Sequence, residues 1–284
     1  MNEKQNTLLT VASLSIRLAS KYMQPYSCSK SPHKFTQSQL MACLVLRAYL
    51  KTTYRGIIDL LGASEELRSR LGLKKLPHYS TLKYFADRSN TLRIVDALLL
   101  ELSQSLVADK GQVAIDSTGL EATSASSYFQ ARSGRKQKKY VKLSVCILCA
   151  SLIPTSVVLG WGPCNDKSDA RALLVKSHAA IQPKKLYADA GYDAEWVHEY
   201  CREKWKVKSF IPPAVHRRDG TVGGKYRSQM TPERLKRNDY SRRWTVESFM
   251  SALKRTTGSM LLARKPEALL VEAAVRVLAY AIKR

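Results

Sequence analysis

A hydrophobic fraction of 45% over 284 residues is that of an ordinary globular protein, with material for one large domain or two smaller ones. Lys and Arg number 47 against 23 Asp and Glu, a net charge of +24 with a pI near 9.9, which points to a polyanionic partner, nucleic acid before an anionic membrane. No basic-then-apolar leader opens the chain, and six scattered cysteines suit a reducing interior, so the expectation is a cytoplasmic, nucleoid-associated protein and not an exported one.

Residues 1 to about 106 are expected to be mostly helical. Leu40–Leu50 is a strongly apolar helix, and Tyr54–Leu61 follows it. Ser64-Glu65-Glu66 reads as a helix start, and Gly72 falls where that helix should stop. Ser80 or Thr81 is positioned to cap a helix reaching about Ser89, and Thr91–Leu106 is a long amphipathic helix. Short helices and tight turns fit a helix-turn-helix DNA reader and a small helical bundle equally well.

At Gln112 the texture changes. Val113–Thr118, Lys142–Ala150, Val157–Gly162, Lys185–Ala188 and Val207–Ile211 read as strands, with helices over Asp166–Ile181 and Asp193–Lys204. This alternation predicts an α/β domain with a mixed sheet over residues 107–284, preceded by a helical domain over residues 1–106. Leu143–Asn165 has no charged residue, but Pro154-Thr155-Ser156 divides it, so two buried strands explain it better than a membrane span. Cys146 and Cys149 have half a zinc-ribbon spacing with no second half, which favours burial. Pro212–Lys236, basic and glycine-rich, is expected to be a mobile loop. Pro266–Lys283 closes the sequence as a helix with a Glu272–Arg276 pair at i,i+4.

The basic excess is uneven. Arg132, Arg135, Lys136, Lys138, Lys139 and Lys142 form one run without an acid, and Arg202–Arg255 holds 15 basic against 5 acidic residues. The two blocks flank the acids described next and read as a phosphate track, in which Lys138 and Lys139 are candidate DNA contacts.

Tyr240, Arg243, Glu247 and Lys254 fall within roughly 60° of one another on a helix, along about 21 Å of its axis. Val246, Phe249 and Leu253 lie on the opposite, core-facing side. Upstream, Asp116 and Asp189 each end an apolar strand, where ligand sites of α/β sheets form. Three carboxylates converging on one point repel each other unless cations lie between them. Two Mg²⁺ ions, with Mn²⁺ as substitute, are the natural occupants. Such a pair activates the attacking oxygen and stabilises the leaving oxygen of a phosphodiester displacement. Tyr240, Arg243 and Lys254 would bind phosphates beside them, and Trp244 would either stack on an extruded base or pack in the core. Each residue also has a plainer use: a strand-end Asp as a turn former, Arg243–Glu247 as a surface ion pair. Asp166 and Asp169 read as helix caps, Asp193 as the start of a helix, and His78, His178, His198 and His216 as structural.

Asp116-Ser117-Thr118, the Tyr187–Tyr192 block around Asp189, and Tyr240-x2-Arg243-x3-Glu247-x6-Lys254 together resemble the DDE transposases of prokaryotic insertion sequences. The resemblance implies a ribonuclease-H-like catalytic domain, with Asp116 on its first strand, Asp189 just after its fourth and Glu247 on a late helix. It further implies metal-dependent cleavage at the terminal inverted repeats of an element and joining of the freed 3′-hydroxyl to target DNA, by a homodimer on DNA and without a membrane. The N-terminal helical domain would bind DNA ends or mediate dimerisation. Two alternatives remain at this level: a nuclease of the same fold without strand transfer, and a non-catalytic DNA-binding relative.

Overall fold

Helix formers and well-placed caps dominate the first hundred positions. Thr36 opens one helix with a reciprocal capping box: its Oγ1 accepts from Gln39 N at 3.2 Å, and Gln39 Oε1 accepts from Thr36 N at 2.9 Å. The computed structural model describes residues 6–105, 111–122, 140–214 and 221–284. Lys138 and Lys139, with most of their basic run, and His216 lie outside the described residues.

The helices of this region are α1 (Thr7–Tyr22), α2 (Gln37–Tyr49), α3 (Tyr54–Ala63), α4 (Glu65–Arg70), α5 (Tyr79–Ala86) and α6 (Thr91–Ser105). Ser64 caps α4, and Gly72 follows it at φ +62°, a left-handed turn natural to glycine. The cap of α5 is His78 rather than Ser80 or Thr81: its ring accepts from Ser80 N, so the helix starts two or three positions earlier than expected. Strands β1 (Gln112–Glu121), β2 (Tyr140–Leu148) and β3 (Pro154–Gly162) come next, then α7 (Asp166–Ala180) and β4 (Lys185–Tyr187). After these come α8 (Glu195–Glu199), β5 (Lys208–Phe210), α9 (Pro232–Arg237), α10 (Trp244–Thr257) and α11 (Pro266–Lys283).

These elements form two compact units, Met1–Leu102 with Leu253–Arg284, and Ser103–Ala252. The expected boundary put all of 107–284 in one domain; instead α11 packs on α1, α2 and α5. Its sequence explains this. Thirteen of its residues are buried and they encircle the helix, which a helix covered on one side only would not require. The Glu272–Arg276 pair is accordingly internal, at 2.8 Å with both side chains 6% exposed. Arg276 also donates to the carbonyls of Gly258 and Met260, and Glu272 accepts from Leu262 N and Ala263 N. Arg47 of α2 stands 3.8 Å from Glu272 and lies over the Tyr54 ring. Glu272 and Arg276 are thus paired with each other and with backbone, as burial demands, while Arg47 adds a longer contact and its Nε has no hydrogen-bond partner among the described residues.

The second unit is built on a five-stranded mixed sheet of order β3-β2-β1-β4-β5. β2 is antiparallel to β1 and β3, while β1, β4 and β5 run parallel. β2 and β3 are the two strands expected within Leu143–Asn165, and no described helix is long and apolar enough to cross a membrane. Val113, Ile115, Cys146, Leu148, Leu186 and Ala188 pack with Leu173 and Leu174 of α7 on one face. All six cysteines are free thiols.

Two segments differ from expectation. Asp193–Lys204 is not one α-helix: α8 is a short piece that passes into a wider π turn over Tyr200–Lys204. Asp193 stays outside it, with its side chain wholly buried. Pro212–Lys236 is not simply a mobile loop, since Arg227 forks onto both Asp193 oxygens at 2.8 and 2.6 Å. Glu195 accepts from Tyr226 N and Arg227 N at 2.8 and 3.1 Å. Gly224, at φ +109°, lets the backbone approach Glu195 where a Cβ would lie 2.2 Å from its Oε2.

Candidate active site

Strand register decides where the first two acids stand. Ala114 of β1 pairs with Tyr187 of β4, and Asp116 and Asp189 each lie two residues further on. Side chains alternate along a strand, so both acids are on the face opposite the α7 core, on neighbouring parallel strands. Asp189 remains extended (φ −80°, ψ 176°) and its Oδ1 accepts from Gly191 N at 2.9 Å, opening a short 3-10 turn over Ala190–Tyr192.

The third acid arrives on α10. The stretch read as one helix from Tyr240 begins as a 3-10 turn over Tyr240–Arg243, introduced by Asp239 at φ +60°, and becomes α-helical at Trp244. A 3-10 turn has about three residues per turn, so Tyr240 and Arg243 still share a side. Arg243 Nη2 ion-pairs with Glu247 one α-turn on, and its Nη1 stands 3.5 Å from Asp116 Oδ2. One guanidinium therefore spans acids from two elements. Lys254 lies on α10 two turns beyond Glu247.

Tyr240 anchors the turn to the sheet. Its hydroxyl donates to Ala188 O at 3.0 Å, beside Asp189, and its ring meets that of Tyr187 edge-on at 6.4 Å. The oxygen expected to contact phosphate is thus engaged with backbone. Tyr187 OH donates to Asn238 O at 2.9 Å, reinforcing the same junction. Burial pushes the Tyr240 phenol up to about 12, so it remains a donor at neutral pH. Trp244, expected either to pack or to stack, is 58% exposed and does not serve the core.

On the reverse face of β1, several residues that the motif spacing does not single out gather at the same strand end. Ser117 Oγ donates to Asp166, and Lys142 Nζ, with its side chain only 3% exposed, stands 3.0 Å from Asp166 Oδ1 and 3.1 Å from Asp169 Oδ2. Lys142 is therefore an internal counter-ion and not part of a surface phosphate track. Asn165, not Asp166, caps α7, accepting from Lys167 N at 3.0 Å. A Cβ on Gly191 would lie 3.0 Å from Asp189 Oδ1 and 3.1 Å from Asp166 Oδ2, so those oxygens are at most 6.1 Å apart. The hydroxyl of the fully buried Tyr192 has no hydrogen-bond partner among the described residues. The signals for this layer were local: Ser117 follows Asp116, and Gly191 and Tyr192 follow Asp189.

The crowding has an electrostatic consequence. Burial is the main cause that lifts the Asp116 carboxyl from 3.8 to about 6; Asp189 and Asp166 push the same way, while Ser117 N–H and Arg243 oppose them. A carboxyl so placed gains from a cation. Asp116, Asp189 and Glu247 offer only hard oxygen donors, the chemistry that suits Mg²⁺ or Mn²⁺. Among the described residues no three acids, histidines or cysteines are gathered closely enough to hold a metal ion as they stand. The cation found between Asp116 and Glu247 is Arg243.

No curated protein matches the chain. A cryo-EM structure of a piggyBac transposase synaptic complex with hairpin DNA is similar in structure, with a TM-score of 0.47 and 10% identity over 98% of this chain and 72% of that one. The model of the transposase DDE domain matches residues 107–282, well over half of the sequence. The chain belongs to the transposase DDE domain family.

Proposed function

We propose that this protein is the transposase of an insertion sequence, cutting DNA at the ends of its element and joining the freed 3′-hydroxyl to target DNA. The observation that carries the reading is the placement of Asp116 and Asp189 on one sheet face, two residues past the same rung, with Glu247 tied to Asp116 through Arg243. Asp116 on the first strand, Asp189 just after the fourth and Glu247 on a late helix are also the positions a ribonuclease-H-like domain would give them.

In this reading Asp116, Asp189 and Glu247 would hold two Mg²⁺ ions. When bound, these supply Lewis-acid activation of the attacking oxygen and charge relief at the leaving oxygen. The chain's own residues do the rest. Tyr240 fixes the α10 junction against Ala188 and so sets the height of Glu247 above the sheet. Arg243, with its planar fork, takes a phosphate oxygen pair, and Lys254, Lys138 and Lys139 extend the contact along the backbone. Exposed Trp244 stacks on a base. The helical unit binds DNA ends or pairs two protomers, because two ends must be held together. The net charge of +24 suits such a polyanion.

The test is incubation of wild type and Glu247→Gln with labelled DNA carrying the element's ends, in Mg²⁺ or Mn²⁺, with products resolved on a denaturing gel. Cleaved and joined products from wild type alone are expected. Cleavage without joining would replace the reading with a nuclease. Equal inactivity with DNA binding retained would leave a DNA-binding protein.

A further inference from the structure

We propose that Arg243 is a displaceable counter-ion of the site: its guanidinium holds the metal-free protein together across Asp116 and Glu247, and a DNA phosphate draws it out, so that DNA and divalent metal bind cooperatively. This rests on the reading of Asp116 and Glu247 as metal ligands.

Three observations support it. First, the same guanidinium reaches Asp116 Oδ2 at 3.5 Å and Glu247, although these acids come from a strand and a helix. It occupies the space between two of the three acids that would share a divalent ion, and no three acids are gathered while it is there, among the described residues. Second, it is free to leave. The Arg243 side chain is 24% exposed and Glu247 57% exposed, so the pair already meets solvent on one side. The backbone beneath it stays pinned, because Tyr240 is bonded to Ala188 and Thr245 Oγ1 donates to Arg242 O at 2.7 Å. Third, the charges dictate the direction of the exchange. A guanidinium beside newly bound divalent cations is repelled, whereas a phosphate outside the site offers a bidentate partner.

Competition and displacement are two sides of one linkage. If phosphate removes the competing cation, DNA must raise metal affinity, and metal must raise DNA affinity by the same factor. Couplings between sites are typically about 5–150-fold, and the lower end, roughly tenfold, is expected for two side-chain contacts.

The experiment is titration of Mn²⁺ into wild type, Arg243→Gln, Arg243→Lys and Glu247→Gln, read by EPR of free Mn²⁺. It is run without DNA and with a pre-cleaved end duplex lacking target DNA, so that no bond is broken. Arg243→Gln should bind Mn²⁺ about tenfold more tightly than wild type without DNA. DNA should tighten Mn²⁺ binding by wild type and leave Arg243→Gln almost unchanged. Arg243→Lys, which keeps the charge, should stay close to wild type. Equal or weaker binding by Arg243→Gln, or a DNA effect that survives in it, overturns the proposal while leaving the ligand reading intact. Undiminished Mn²⁺ binding by Glu247→Gln overturns the ligand reading and the proposal together.

Discussion

Replacing Asp116 by Asn should make the protein more stable while removing its activity. Asp116 is 18% exposed in its side chain, and its carboxyl is held at about 6 instead of 3.8. A raised acid pKa means that the charged form is disfavoured in the folded state, so the ionised side chain costs stability wherever pH lies above both values. The gap corresponds to about 3 kcal/mol at neutral pH, since one pH unit is worth about 1.4 kcal/mol. Asn keeps the acceptor for Ser117 N, which Asp116 Oδ1 now supplies at 2.7 Å, without the charge. For a unit of this size about 3 kcal/mol is a rise in Tm of about 6–12 °C. All four tryptophans, Trp161, Trp196, Trp205 and Trp244, lie in Ser103–Ala252, so indole fluorescence during thermal unfolding reports on that unit alone. The gain should be full at pH 8, shrink as pH falls through 6, and drop below about 1 kcal/mol at pH 4, where the wild-type carboxyl is neutral in the folded state. An Asp116→Asn protein no more stable than wild type at pH 8, or one whose advantage is the same at pH 4, would refute the electrostatic account of this site.

Two further outcomes follow from the same geometry. Arg227→Ala removes the fork from Asp193, whose side chain is 0% exposed, and leaves it, among the described residues, only the Ala214 N–H and a distant His198; a cost of about 3 kcal/mol in urea denaturation, read by fluorescence, is expected. Trp244→Ala should leave the urea midpoint almost unmoved, since the ring is exposed, yet weaken single-stranded DNA binding by about 1–3 kcal/mol in fluorescence anisotropy.

Much of the site was legible because its signals are local. Apolar runs ending in Asp116 and Asp189 mark strand ends, and four polar residues at helical spacing mark one side of a helix. The 3-10 start at Tyr240 was not legible, because it depends on the left-handed Asp239 and on the bond from Tyr240 to Ala188, fifty-two positions away. Asp193 looked like a helix start for a similar reason: its partner Arg227 is 34 positions on, and nothing in the local pattern shows that the intervening chain returns. Lys142 sat at the end of a basic run and shared its surface reading. Only its place on β2, opposite Gly119 and facing α7, puts it among Asp166 and Asp169. The partner of α11 was hidden too, since an all-round apolar helix states that it will be covered but not by what.

That last pairing has a consequence for how the chain is made. The ribosome delivers Ser103–Ala252 as a continuous stretch, so this unit has all of its residues before α11 is translated. The helical unit does not, because the cores of α1 and α2 and the buried Arg47 wait for Glu272 and its neighbours. Helices α1 and α2, made well before α11, are therefore late to find their final partners. A product that stops short of α11 carries a complete sheet with its acids but an unfinished helical unit, and would fall to proteases first within α1 to α6.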